Sequence, residues 1–215
     1  DTQFNQVLRG DVSIALLEAT PARVQHEIAK LPHVSAVEGA RSVPVRLVNA
    51  NHAWRGAIQG KAAQPELHRI VDLGHQVFTP PRDGLLLTDR LAERLRVRPG
   101  DTLRLEFLEG RREVIHLPVA GTVAEMMGMN AYIERNALNK LLREGDMVNQ
   151  ITVAVDRSYE PALLNKLKDL PRVAAAVSKS VMARNIEEIT ARNVLVFSAI
   201  LTGFATIIAI GVVYN

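Results

Sequence analysis

The end of the sequence carries the feature that most limits what this chain can fold into. Residues 194–214 form a run of 21 residues without a charged side chain. A helix of that length reaches about 31 Å, which matches the roughly 30 Å hydrocarbon core of a bilayer. A buried helix of a soluble protein usually keeps one polar stripe, and this run has none. We therefore predict a transmembrane helix over residues 194–215, preceded by a water-exposed domain at a membrane surface.

Small residues recur along one face of this predicted span. They stand at positions i, i+4, i+7 and i+11, and they are Ser198, Thr202, Ala205 and Ala209. Such a stripe lets a second helix approach closely, so we predict that these residues pack against another membrane helix. Residues 182–193 precede the span without a proline or glycine. They are therefore predicted to form a juxtamembrane helix continuous with it.

Composition excludes some functional classes. The 215 residues include 26 Lys and Arg, 23 Asp and Glu and no Cys, with a net charge of +3. The basic residues are scattered, so nucleic-acid binding is not expected. Disulfides and thiolate metal sites are excluded by the absence of cysteine. The sequence begins at Asp1 without a signal-peptide pattern, and we expect it to be an excerpt whose flanks carry further membrane segments.

A strand–helix–strand order opens the chain. Residues 11–17 alternate between apolar and other side chains, which predicts a strand. Thr20 and Pro21 then have the residue types of a helix N-cap and first turn. A second extended stretch covers residues 34–48, and Pro44 predicts that this strand is interrupted or lies at a sheet edge.

The same order returns near the end of the water-exposed part. Residues 150–155 alternate as a strand, and Pro161 opens a helix. Both predicted helices end in the phrase Leu-Pro-X-Val, at residues 31–34 and 170–173. Neither half can bury its apolar face alone. We therefore predict an α+β fold in which the two βαβ halves dock as a split ferredoxin-like, porter-like domain.

About 100 residues separate the two halves, which is too many for a loop in a compact domain. This middle part contains a short apolar strand at residues 85–87, a helix capped by Thr88, and a hairpin formed by residues 103–107 and 114–119. We predict an inserted, mostly β subdomain. The predicted division is residues 1–48 for the first half, 49–147 for the insertion, 148–181 for the second half, 182–193 for the juxtamembrane helix and 194–215 for the span.

The sequence contains no recognisable catalytic or metal-binding motif. Its histidines lie on different elements without the spacing of metal ligands; they are His26, His33, His52, His68, His75 and His116. We therefore predict a non-catalytic chain without a cofactor or metal. A membrane-bound hydrolase, assembled from residues distant in sequence, is the alternative.

A methionine cluster is the candidate contact site. Met126, Met127 and Met129 are three of the five methionines, in a segment predicted to be a loop. Methionine adapts to varied apolar partners, so the cluster is a candidate contact for a partner protein or an acyl chain. The same side chains could instead fill the seam between the insertion and the two halves. The sequence leaves both interpretations open.

The order of these parts resembles a known family. Residues 84–95 read Gly-Leu-Leu-Leu-Thr-Asp-Arg-Leu-Ala-Glu-Arg-Leu, and residues 97–103 read Val-Arg-Pro-Gly-Asp-Thr-Leu. This passage of strand, small helix, Pro-Gly-Asp turn and strand lies between the repeated halves and before a predicted span. In this order the chain resembles the extracytoplasmic domain of FtsX-like ABC transporter permeases, the group that includes MacB, LolC and LolE.

The resemblance implies a periplasmic domain with a Sabre-like insertion, held at the bacterial inner membrane. It implies a separate cytoplasmic ABC ATPase, a second permease copy or paralogue, contact with membrane lipids, and a periplasmic or outer-membrane partner. Export or extraction of a lipoprotein, a lipid or a small hydrophobic compound would then be driven by mechanical transmission. A membrane-tethered sensor or partner-binding ectodomain would share these features and is the alternative.

Overall fold

The computed structural model describes residues 9–125 and 128–181, and the chain divides into two compact units, Asp1–Val177 and Ser178–Asn215. The described elements make a mixed, strand-rich α+β fold. In chain order they are β1 (Val12–Pro21), α1 (Val24–Ala29), β2 (Val34–Asn49), β3 (His52–Lys61), β4 (Ile70–Val71), β5 (Val77–Phe78), β6 (Leu85–Thr88), α2 (Asp89–Leu95), β7 (Thr102–Phe107), β8 (Val114–Val123), β9 (Ala131–Glu134), α3 (Arg135–Leu141), β10 (Met147–Val155), α4 (Glu160–Lys168) and β11 (Val173–Ser178).

The second unit is described only at its beginning. The Ser178 hydroxyl oxygen accepts hydrogen bonds from the backbone N–H groups of Ser180 and Val181, at 3.1 and 3.5 Å, as an N-cap does. The predicted helices at residues 182–193 and 194–215 lie outside the described residues. Within the described ranges, no helix is both long enough and apolar enough to cross a bilayer.

The first sheet, which we call the frame, has the strand order β11-β1-β10-β2. β10 pairs antiparallel with both β1 and β2, from Val12↔Val153 on one side to Ala40↔Gln150 on the other. Helices α1 and α4 connect strands of this sheet and pack against it. The frame has its own apolar core, built mainly from Val12, Ile14, Val148, Ile151, Val153, Val155, Leu163 and Leu167.

The second sheet closes on itself. Beyond the frame, β2 pairs with β3, and the order continues through β9, β6, β8 and β7. β7 then pairs back with β2, from Val45↔Phe107 to Val48↔Arg104. Because the ring of pairings is complete, these six strands form a barrel around a second core. That core includes Val43, Val45, Leu47, Ile58, Leu85, Leu87, Leu91, Leu95, Leu103, Leu105, Ile133 and Leu138.

β2 runs through both sheets, so the expectation that Pro44 interrupts it or places it at an edge is wrong. Pro44 pairs with Ala57 on β3. The N and C=O of one strand residue point to the same side, and the Pro44 carbonyl accepts a hydrogen bond from Leu108 at 2.9 Å. The missing N–H therefore faces the gap where β2 exchanges β10 for β7 as its neighbour. In that gap the Asn149 side chain bonds both the N–H and the C=O of Ser42, at 2.7 and 2.8 Å.

The repeated Leu-Pro-X-Val phrase forms equivalent turns. The N–H of Val34 lies 3.4 Å from the Leu31 carbonyl, and the N–H of Val173 lies 3.1 Å from the Leu170 carbonyl. Each turn leads directly into a frame strand. By contrast, the predicted N-cap at Thr20 is wrong: Thr20 belongs to β1, and its hydroxyl donates to the Glu18 carbonyl at 3.2 Å.

The Pro-Gly-Asp turn fixes the start of β7 against β8. The Asp101 carboxylate accepts a hydrogen bond from the Arg98 N–H at 2.7 Å, which closes the turn. Gly100 has φ of 97°, a conformation that glycine adopts without strain. The Gly100 N–H bonds the Val119 carbonyl at 2.8 Å, and the Val119 N–H bonds the Asp101 carbonyl at 2.7 Å. The turn therefore fixes the strand register of the β7–β8 hairpin that the sequence predicts.

Candidate functional site

An apolar groove lies between α1 and α4 on the frame. Its volume is about 430 Å³. Its walls come from β1, α1, α4 and the turn before β11; the lining residues are Ile14, Leu16, Thr20, Val24, Glu27, Ile28, Leu31, Leu167, Leu170, Pro171, Arg172 and Val173. We call this feature the groove.

The groove exists because the two helices pack against the sheet to different depths. α4 buries Leu163 and Leu167 completely, whereas α1 has no fully buried residue. The apolar side chains of α1, Val24 and Ile28, are only partly buried against the frame core. They form one wall of the groove. Leu170, the first apolar residue after α4, is 50% exposed at the rim of the groove.

The lining determines what the groove can hold. Only Thr20, Glu27 and Arg172 contribute polar side chains. The remaining residues are aliphatic or proline, so an occupant gains mainly from burying apolar surface. The volume falls within the range of about 300–1,000 Å³ that small-molecule sites occupy. An aliphatic chain or an inserted apolar side chain therefore fits this groove better than a polar ligand does.

A buried polar cluster lies at the junction between frame and barrel. We call Glu38, Lys61, His68, Glu125 and Tyr132 the junction cluster. The Glu38 carboxylate accepts hydrogen bonds from three successive backbone N–H groups, those of residues 66, 67 and 68, at 2.6, 2.9 and 3.2 Å. This contact holds the segment after β3 against the frame part of β2.

Lys61 occupies the centre of the junction cluster and is only 4% exposed. Its Nζ donates to the His68 carbonyl at 3.2 Å and lies 5.6 Å from the centre of the Tyr132 ring. Burial lowers the pKa of Lys61 to about 8, although Glu38 and Glu125 oppose this shift. Burial, together with the positive charge of Lys61, lowers the pKa of His68 to about 3. His68 is therefore neutral in the folded chain at neutral pH.

The other side of the junction cluster contains Glu125 and Asn130, the residues that flank the methionine cluster in the sequence. The Tyr132 hydroxyl donates to Glu125 Oε1 at 2.8 Å, and Asn130 Nδ2 donates to Glu125 Oε2 at 2.9 Å. The Asn130 N–H also bonds the Thr88 hydroxyl at 3.1 Å. Burial, followed by the negative charge of Glu125, raises the pKa of Tyr132 above its usual range. Residues 125 and 130 are thus held next to each other on this side of the cluster.

The predicted contact residues are only partly described. Met129 is 36% exposed, next to Gly128 with φ of 89°. Met126 and Met127 lie outside the described residues, as do the predicted helix-packing residues Ser198, Thr202, Ala205 and Ala209. Their roles stay predictions. Sequence patterns did not identify the groove as an open site, because half-exposed and fully buried helix positions show the same apolar spacing.

A buried arginine joins three segments around the barrel. The Arg41 side chain is 5% exposed, and its Nε donates to Glu144 Oε1 at 2.7 Å. It also forms an ion pair with Glu109. Burial alone would lower the pKa of Arg41, but the hydrogen bonds to Glu144 and Glu109 outweigh burial and raise it. The contact connects β2 with the turn after β7 and the segment before β10. Arg41, Glu109 and Glu144 therefore pair with one another within the fold.

The described residues show no arrangement suited to metal binding. Within residues 9–125 and 128–181, no three His, Asp or Glu side chains are grouped so that they could hold a metal ion. A larger cavity of about 940 Å³ lies beside α3, and its charged lining residues are Arg82, Asp83, Glu134, Lys140, Glu144 and Asp146. The groove, with its mostly aliphatic lining, is the better candidate for an apolar ligand or partner.

The mixed, strand-rich α+β fold is similar to those of solved structures. The periplasmic region of MacB from Actinobacillus actinomycetemcomitans matches with a TM-score of 0.51 and 15% identity, over 86% of this chain and 95% of that one. The fold is that of a MacB-like periplasmic domain. The extracellular domain of the noncanonic ABC-type transporter YknZ from Gram-positive bacteria also matches, with a TM-score of 0.51 and 12% identity, over 77% of this chain and 99% of that one.

No protein-family model matches the sequence, and no curated protein is significantly similar to it. The likeness to MacB and YknZ is therefore a likeness of fold. It confirms the resemblance to a MacB-like periplasmic domain that the sequence suggested, at only 15% and 12% identity.

Proposed function

We propose that this chain is the extracytoplasmic domain of an ABC transporter permease subunit, coupled to a separate cytoplasmic ATPase. The observation that carries the proposal is the fold match to the MacB periplasmic region, which covers 86% of this chain and 95% of that one. Because nearly the whole of that region is matched, the likeness concerns an entire domain and not one motif. The predicted span at residues 194–215 supports a place at the inner membrane, with the domain facing the periplasm.

The architecture supports two mechanical parts. The strand order β11-β1-β10-β2, with α1 and α4, supports a split ferredoxin-like frame, and the barrel is proposed to be the Sabre-like insertion. β2 contributes to both sheets without a break. A displacement of the frame would therefore be transmitted to the barrel through a continuous strand, as mechanical transmission from the membrane would require.

The groove is proposed as the place where the domain contacts a lipid, the acyl part of a lipoprotein or a small hydrophobic compound. Its aliphatic lining favours an apolar occupant over a polar one. Met126, Met127 and Met129 are proposed as a second contact, for a periplasmic or outer-membrane partner. A second permease copy or paralogue is expected to complete the transporter, and the stripe formed by Ser198, Thr202, Ala205 and Ala209 is proposed to pack within the membrane.

Coupling can be tested with Ile189, in the predicted juxtamembrane helix. A proline interrupts a helix, so Ile189→Pro should uncouple ATP hydrolysis from export in the complete transporter, whereas Ile189→Ala should preserve coupling. The measurements are ATPase activity of the reconstituted complex and export in cells. Full export by the proline variant would contradict mechanical transmission. Failure to purify with any ATPase would favour the sensor or partner-binding ectodomain.

The groove can be tested by site-specific crosslinking. A benzophenone side chain at Ile28 would face the groove, whereas the same group at Ala29 would lie on the exposed side of α1. In intact membranes we expect mass spectrometry to find adducts with lipid-sized or other small apolar molecules at position 28 and not at position 29. Protein-sized adducts at position 28, or equal labelling at both positions, would contradict the proposed role of the groove.

A further inference from the structure

Four neighbouring barrel strands, β3, β2, β7 and β8, share an outer face that is rich in arginine. Their outward positions alternate with the buried positions of the barrel core. In the described chain, these outward positions include three arginines and one histidine, and Glu106 is their one acidic residue. They lie within residues 53–57, 44–48, 102–106 and 114–118. We call Arg46, Arg55, Arg104, Glu106, Val114 and His116 the arginine face.

Strand register brings these arginines together. Arg46 is the direct cross-strand partner of Arg55 on β3 and of Glu106 on β7. Arg104 is the direct partner of His116 on β8. Side chains directly opposite each other on antiparallel strands have Cβ atoms about 4.5–5.5 Å apart, and like charges in this position destabilise the pair. The fold therefore accepts a repulsive arrangement at Arg46 and Arg55.

One carboxylate pairs with two of the three arginines. Glu106 Oε2 accepts from Arg46 at 3.2 Å, and Glu106 also pairs with Arg104. The hydrogen bond from Arg104, followed by that from Arg46, keeps the pKa of Glu106 below its usual value, although desolvation opposes the shift. Within the described residues, no ion pair or hydrogen bond involves the exposed side chain of Arg55. Two guanidinium groups thus share one carboxylate, and the third, that of Arg55, is exposed beside them.

We propose that the arginine face binds an acidic surface of a partner protein. The three arginines and Glu106 leave an excess of two positive charges, and arginine forms bidentate contacts with carboxylates. Arginine is also enriched in protein interfaces, where it combines with apolar neighbours such as Val114, which is 54% exposed. The partner contributes the carboxylates that this surface lacks.

The chemistry favours a protein over a membrane surface. Recognition of anionic lipids typically uses clusters of about four to eight Lys and Arg residues, often beside an insertable apolar segment. The arginine face has three arginines, no lysine and no Phe, Tyr or Trp among its six residues. Its guanidinium groups are held on strands, which suits docking to a defined arrangement of carboxylates.

The test measures binding of a fluorescent Glu-Gly repeat peptide to the full chain in neutral detergent. A Gln-Gly repeat is the uncharged control peptide. Arg55→Gln/Arg104→Gln should weaken binding roughly five- to twentyfold, because two exposed charge pairs are lost. The matched control, Arg90→Gln/Arg94→Gln on α2, removes two exposed arginines elsewhere and should leave the affinity unchanged.

Glu106→Gln provides a second, opposite expectation. It removes the resident carboxylate that competes with the peptide, so the affinity for the Glu-Gly peptide should rise roughly two- to fivefold. A surface whose arginines act only within the fold would show no such gain. Thermal unfolding of each variant checks that the domain remains folded.

Three results would overturn the proposal. The first is equal or unmeasurable peptide binding by the unmodified chain and the Arg55→Gln/Arg104→Gln variant. The second is binding to phosphatidylglycerol vesicles that depends on these arginines, without binding to the peptide, which would identify a lipid-headgroup site. The third is self-association that the same variant abolishes, which would identify a second copy of the chain as the occupant.

Discussion

Replacement of Lys61 by methionine tests the energetics of the junction cluster. Methionine has a similar length and no charge, so Lys61→Met removes the buried ammonium group without creating a large cavity. In the native chain this group is 4% exposed, and burial lowers its pKa from 10.5 to about 8. The folded state therefore releases the proton at a lower pH than the unfolded state does.

The sign and size of the effect follow from these two pKa values. Below about pH 8 the lysine is protonated in both states and adds no slope to the free energy of unfolding. Between about pH 8 and 10.5 the unfolded state binds more protons, so stability rises with pH. The gain from about pH 7 to about pH 10 amounts to about 2.5 kcal/mol. Lys61→Met should lack this gain.

The assay uses the one tryptophan of the chain. Trp54 lies on β3, the strand that ends at Lys61, and is 9% exposed in the barrel. Its fluorescence therefore reports unfolding of the barrel during a urea titration of the full chain in neutral detergent. We expect the free energy of unfolding of the native chain, minus that of Lys61→Met, to increase by about 2.5 kcal/mol between about pH 7 and 10.

A matched control separates this effect from general changes at high pH. Lys140→Met alters an exposed lysine on α3, and this variant should keep the pH dependence of the native chain. A difference between the native chain and Lys61→Met that stays constant across the pH range would refute the reasoning. It would mean that Lys61 is hydrated in the folded state.

Three further predictions concern Arg41, His68 and the isolated frame. Arg41→Met leaves Glu109 and Glu144 without their shared cation, so urea unfolding should show a loss of about 2–3 kcal/mol; full stability of Arg41→Lys would contradict the two-carboxylate geometry. Because burial keeps the pKa of His68 at about 3, the unfolded chain alone binds a proton at mildly acidic pH. The native chain should lose about 1–2 kcal/mol between about pH 7 and 5, and His68→Gln should remove this dependence. Replacing Val43–Met147 by Asn-Gly joins β2 to β10 in their native register as a hairpin. Circular dichroism should then show a folded frame that melts cooperatively. A disordered product would contradict the division into frame and insertion.

Local sequence pattern predicted the elements that face a single core. The alternation of residues 103–107 and the Pro-Gly-Asp turn predicted β7 and its hairpin with β8. The two Leu-Pro-X-Val phrases predicted equivalent helix ends, and both form turns that lead into frame strands. These predictions succeeded because apolar periodicity and turn residues act over a few neighbouring positions.

Local sequence pattern could not predict which strands and side chains meet across long sequence distances. β3 pairs with β9, with Ile58 opposite Ala131, and this pairing is needed to close the barrel. Pro44 was expected to break or border a strand, yet it is accommodated where β2 changes neighbours. The burial of Lys61 also depends on Tyr132 and on the segment around His68, which approach from other elements.

The sequence alone determined the local strands and helices of the two βαβ halves, because periodicity depends only on the order of residues. Its composition alone excluded cysteine chemistry. It also contains the uncharged run at residues 194–214, on which the prediction of a span rests. The tertiary structure decided that six strands close into a barrel, that α1 and α4 leave a groove, and that three arginines share one outer face. Periodicity identifies the buried side of an element, whereas strand register and helix packing, set by distant contacts, determine what lies beside it.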